Sequence, residues 1–112
     1  MALNRTKLTD VVRVASGSTV GIATVSSNKK VFVKSILAFN NAGTASTAQV
    51  YFVPNGGSAG ESTRIFNITL TASESTILEP SYPFVLESTG DEIKVGAMGS
   101  AINFIVTGDR EV

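Results

Sequence analysis

Apolar and polar residues alternate over short stretches of this chain, and each stretch is closed by Gly, Asn, Ser, Thr or Pro. A period of two puts apolar side chains on one face of an extended backbone, so the pattern predicts strands wherever it runs. It predicts them at residues 11–14, 20–25, 31–39, 48–53, 64–70, 76–79, 84–87, 92–95 and 101–107. In the segment 31–39, Val31, Val33, Leu37 and Phe39 share one face, which is expected to be core, and Lys30, Phe32, Lys34, Ile36 and Ala38 share the other. Phe66, Ile68 and Leu70 point inward from 64–70, and Ile102, Phe104 and Val106 from 101–107. Prolines 80 and 83 lack a donor and belong at an edge or corner.

No stretch carries apolar spacing of three and four over the length a stable helix needs. The expected fold is therefore all-β: a two-sheet antiparallel β-sandwich of about eight or nine short strands, jelly-roll or immunoglobulin-like in topology. Residues 10–108 are expected to form this one domain, with 1–9 as an N-terminal arm and 109–112 as a short polar tail. At 112 residues the chain is long enough to bury roughly two-thirds of its unfolded surface in a single core.

A single core cannot accept both faces of every strand. Phe32, Ile36, Tyr51, Ile65 and Ile105 fall on expected outer faces, where loops or, in preference, contact with another chain would cover them. The stretch 54–60 holds three glycines among seven residues, so Asn55, Gly56 and Gly57 are expected at a pliant hairpin tip that could order against a neighbour. Leu3 and Leu8 are the apolar anchors of the arm, which either frays or orders on a neighbouring subunit.

Composition narrows the chemistry. The chain has neither histidine nor cysteine, which removes the imidazole base, the thiolate nucleophile and the usual zinc ligands. No cofactor and no metal site is expected, and the chain is expected not to be an enzyme. The acidic neighbours Asp91 and Glu92, and Asp109 with Glu111, sit in turn and tail positions where charge keeps a loop in water. Gly56, Gly57 and Gly60 lack the following Lys-Ser or Lys-Thr pair and helix of a phosphate loop. Nine basic and nine acidic residues cancel, so no electrostatic footprint for nucleic acid or an anionic membrane is expected. No secretory signal or membrane-spanning run is expected either. Charged residues are 16% of the chain, and the Ser- and Thr-rich surface that replaces them loses little side-chain entropy when another protein covers it.

The runs Lys30-Val-Phe-Val-Lys-Ser-Ile-Leu, Ala48-Gln-Val-Tyr-Phe-Val-Pro-Asn-Gly-Gly, Glu92-Ile-Lys-Val and Ala101-Ile-Asn-Phe-Ile-Val-Thr-Gly resemble small β-sandwich virion proteins of tailed bacteriophages, cyanophages among them. The likeness covers about residues 29–108 and rests on strand and turn signatures. It implies a virion structural protein assembled in the bacterial host cytoplasm. It further implies a head decoration, or cement, protein that bridges capsomers, with the major capsid protein as partner and a homo-oligomer, trimer favoured. Alternatives are a neck, tail, baseplate or tail-fibre component, and a carbohydrate- or receptor-binding module. The carbohydrate reading calls for an exposed aromatic platform, and the chain has no Trp, two Tyr and six Phe.

Overall fold

The computed structural model describes residues 3–111, with the backbone alone for 3–7. Among these residues there are strands and no helix: β1 Leu3–Lys7, β2 Val12–Val14, β3 Thr19–Thr24, β4 Val31–Phe39, β5 Ser46–Val53, β6 Arg64–Leu70, β7 Ser75–Leu78, β8 Phe84–Leu86, β9 Glu92–Met98 and β10 Ile102–Glu111. One sheet has the order β1-β10-β4-β7, with β2 also on β10 and β8 also on β4. The other has the order β3-β9-β5-β6, and every ladder is antiparallel.

The six-stranded sheet is only four positions wide. β1 and β2 lie end to end along one edge of β10, and β7 and β8 lie end to end along the far edge of β4. Pro80 and Pro83 fall in the break between β7 and β8, where a missing backbone donor costs no ladder bond. Counting each collinear pair as one strand, the first pairs the last, the second the seventh, the third the sixth and the fourth the fifth. A long hairpin folded over on itself pairs in this nested way, and it resolves the two expected topologies in favour of the jelly roll.

The core sits between the sheets. Ile102, Phe104 and Val106 of β10 meet Ile93 and Val95 of β9, Val50 of β5 and Leu70 of β6, and Val14 and Leu86 close it from β2 and β8. Burying a side chain the size of Phe104 stabilises the fold by about 2–3 kcal/mol. The segments expected as arm and tail pair with each other: Leu3 stands opposite Glu111 and Lys7 opposite Thr107, so the six-stranded sheet runs beyond residues 10 and 108.

One irregularity reverses a sequence expectation. Thr107 pairs with Ser35 and Gly108 with Val33, which leaves Lys34 as an extra residue in β4. A β-bulge of this kind puts two residues of one strand opposite one of the other and shifts the alternation beyond it. Val31 and Val33 face the core as expected, but beyond the bulge Ile36 and Ala38 take over, and Ile36 is only 2% exposed. Leu37 and Phe39 therefore face outward.

Candidate assembly interface

The outward face of the six-stranded sheet carries an apolar row that the register creates. Across it, Ile105 of β10 pairs with Leu37 of β4, and Leu37 pairs with Ile77 of β7. Val11, one residue before β2, continues this row on the other side, because Val12 stands opposite Phe104. Four apolar side chains thus cross all four strand positions, with Val11 64% and Ile77 55% exposed. Beside them, Arg13 of β2, Asn103, Phe39 and Ser75 form a parallel row. Val11, Leu37, Phe39, Ser75, Asn103 and Ile105 line a groove of about 330 Å³ between the two rows. The Oδ1 of Asn103 is buried there and accepts no hydrogen bond among the described residues.

Polar pairs bound this face on its other side. The Ser35 and Thr107 hydroxyls meet at 2.6 Å, and Lys34 Nζ lies 2.8 Å from Asp109 Oδ2. Both pairs exist because the bulge turns Lys34 and Ser35 to the same side. Past them, Phe32 stands between Asp109 and Val85 and is half-buried.

The residues singled out in the sequence separate into groups. Phe32 and Ile105 share the outward face just described, both half-buried. Ile36 does not: it lies in the core, for the reason of the bulge, and its expected outward position is corrected here. Tyr51 is on the outer side of the four-stranded sheet yet only 6% exposed, with its hydroxyl donating to Gln49 Oε1 at 3.0 Å. Its register partners Lys94 and Arg64 flank it with long side chains, so its expected exposure is also corrected. Ile65 is the extra residue of a second bulge, in edge strand β6, and is 44% exposed. Leu8 packs against the core of its own chain. Leu3 has its backbone in β1, and its side chain lies outside the described residues.

Asn55, Gly56 and Gly57 are exposed, in a loop that is more ordered than three glycines imply. The Gly57 N–H donates to the Pro54 carbonyl at 2.8 Å, and Gly56 has φ 83°, so residues 54–57 form a type II turn that calls for glycine at its third position. Asp91 holds the turn in place: Oδ1 accepts the Asn55 N–H at 3.0 Å and Oδ2 accepts the Ser88 N–H at 3.1 Å. The Ser88 N–H chiefly lowers the Asp91 pKa below its ordinary value. Burial opposes this, and the N–H groups of Asn55 and Glu87 reinforce it.

Val11, Leu37, Phe39, Ile77 and Val85 were not among the sequence candidates. The available signal was Ser35, a polar residue at a position that strict alternation assigns to the core. No group of three or more Asp or Glu residues that could hold a metal ion occurs among the described residues. Among the described residues no helix is long and apolar enough to cross a membrane.

No protein-family model matches the chain. No curated protein matches its sequence. Among solved structures, it is similar to a chain of the T13 particle of infectious bursal disease virus (IBDV), with 11% identity and a TM-score of 0.56 over 98% of this chain. This chain spans 31% of that one. It is also similar to a subunit of the disulfide-linked pili of Bacillus endospore appendages, with 16% identity and a TM-score of 0.46 over 97% of this chain and 90% of that one. The viral likeness shows a shared fold, a two-sheet β-sandwich.

Proposed function

We propose that the chain is a non-enzymatic structural protein of a virus particle, in which another subunit covers the outward face of its six-stranded sheet. The observation that carries this reading is the apolar row Val11, Ile105, Leu37 and Ile77, which a solitary protomer leaves in contact with water. Large exposed apolar patches on small domains mark surfaces that another protein covers. Jelly rolls recur in viral capsid domains, which agrees with the reading at the level of architecture.

Within the particle, the motif likeness to tailed-phage proteins favours a head decoration protein assembled in the host cytoplasm, with the major capsid protein as partner. Its mechanism is mass action. A protein that binds the assembled shell and not the dissociated subunits stabilises the shell by the free energy of that binding. Apolar surface covered on docking contributes about 25 cal/mol per Å² removed from water, against the cost of immobilising the protein. A rigid sandwich keeps that cost low, because little backbone has to be ordered on docking.

Immunogold labelling of virus particles purified from the producing host, with an antibody raised against the chain, tests the reading. Gold distributed over the head shell is the expected result. Gold confined to the neck or tail replaces decoration with the neck, tail, baseplate or tail-fibre alternative. Particles that carry none of the chain overturn the virion reading altogether.

A further inference from the structure

We propose that the occupant of the outward face is the same face of a second copy, in an isologous two-fold pair. This rests on the reading of that face as an assembly surface, and replaces the trimer implied by the phage resemblance with a pair as the first unit.

The argument is one of self-complementarity. Arg13 and Glu79 are both exposed, and neither makes an ion pair among the described residues. Arg13 stands at the β2 edge, opposite Asn103, with Val12 and Val14 on either side of it facing the core. Glu79 follows β7 at the other edge and continues the outward alternation of Ser75 and Ile77, opposite Ser35. The two charges therefore mark diagonally opposite corners of the apolar patch.

They are separated by three strand spacings, about 14 Å, across the sheet and by four residues, about 13 Å, along it. A two-fold axis that lies in the interface, perpendicular to this diagonal, exchanges the corners and sets Arg13 of each copy against Glu79 of the other. Because the diagonal lies near 45° to the strands, the strands of the two sheets cross near a right angle, one of the two preferred ways for sheets to pack face to face. On the flat grid of the register, Leu37 and Ile105 then meet their own counterparts at the centre, and Phe39 of each copy meets Ile77 of the other.

Size and charge agree with a second copy as the occupant. Two faces four strand positions wide that cross near a right angle overlap over about 19 Å by 19 Å, roughly 370 Å² in projection, the extent of a small, reversible interface. The chain has zero net charge, so two copies approach without long-range repulsion. A partner of other composition would not call for opposite charges at opposite corners of one face; a two-fold pair does.

Sedimentation equilibrium of the full chain at ~1–100 µM reads the outcome. The expected result is a dimer mass for the unaltered protein and a monomer mass for Ile105→Glu with its thermal melting retained. Arg13→Glu and Glu79→Arg should each raise the dissociation constant about tenfold, and the double exchange should restore it. A monomer at every concentration, a trimer, or a dimer indifferent to all these substitutions overturns the pair. A monomeric chain that nevertheless labels virus heads sinks this inference alone, whereas a clean two-fold dimer that is absent from particles sinks the virion reading alone.

Discussion

Leu37 of β4 and Ile105 of β10 stand directly opposite one another and both face away from the core, at the centre of the outward sheet face. They do so because the extra residue at Lys34 shifts β4 by one position relative to strict alternation, and Ile36 becomes the inward neighbour of Val106. The same step places Lys34 within 2.8 Å of Asp109 and Ser35 within 2.6 Å of Thr107. One bulge thus defines both a wall of the core and the middle of the candidate interface.

This arrangement makes adjacent residues respond differently to truncation. Ile36→Ala leaves a cavity in the core and is expected to cost about 3 kcal/mol, whereas Leu37→Ala, on the outward face, is expected to cost about 1 kcal/mol or less in the isolated protomer. Urea unfolding of both variants in the Ile105→Glu background, at concentrations where sedimentation shows a monomer, measures the difference. Equal costs would show that the bulge is absent in solution.

Gly108 sits where β10 crosses the bulge. A Cβ at this position would collide with the Phe32 carbonyl, which belongs to the paired backbone and cannot swing aside. Gly108→Ala is expected to lose about 3 kcal/mol or more, or to leave no folded protein. Gly43→Ala is the control: nothing lies within 4 Å of its Cβ, and the change is expected to raise stability by about 0.5 kcal/mol. Denaturant midpoints of the two variants should move in opposite directions.

Asn40 is fully buried at the end of β4, and its amide group holds a junction of loops together. Nδ2 donates to the carbonyls of Thr44 at 2.8 Å, Thr71 at 3.1 Å and Leu70 at 3.2 Å, while Oδ1 accepts the Ala42 N–H at 3.1 Å. Asn40→Asp keeps the shape but turns an oxygen toward those carbonyls and leaves them without their donor. The expected loss is about 3 kcal/mol, read as a fall in melting temperature at pH 7. A fall no larger than that of an exposed control such as Asn41→Asp would contradict the role.

The Asp91 carboxylate predicts an acid limb in stability. Its pKa in the folded protein lies below the ordinary 3.8, chiefly through the Ser88 N–H. Its contribution is therefore present above pH 3.8 and is lost as the pH falls through the lower folded-state value. Thermal melts from pH 7 down to pH 2 should converge for Asp91→Ala and the unaltered protein at the acid end and separate above pH 3.8, with the unaltered protein the more stable. A constant gap over the whole range would remove Asp91 from the acid response.

Strand positions and the all-β class were legible along the chain because pleat and side-chain direction are properties of consecutive residues. The closing strand shows this best: Ile102, Phe104 and Val106 face inward as their spacing implies. Phe32 and Ile105 stood out as surplus apolar residues, and both lie on the outward face. Tyr51 was misjudged because its cover comes from Arg64 and Lys94, brought beside it by strands 13 and 43 residues away in the chain.

Local covalent geometry thus determined that this chain forms alternating strands, where they break, and that more apolar residues are present than one core can hold. The pairing of distant strands decided the rest. Whether Ile36 or Leu37 faces inward depends on how β4 meets Gly108 of β10, and the row from Val11 to Ile77 exists only once residues 66 positions apart share a register. Register is settled by hydrogen bonds and packing between segments, and a backbone that has room for one extra residue can reverse a face without any change in the residues that line it.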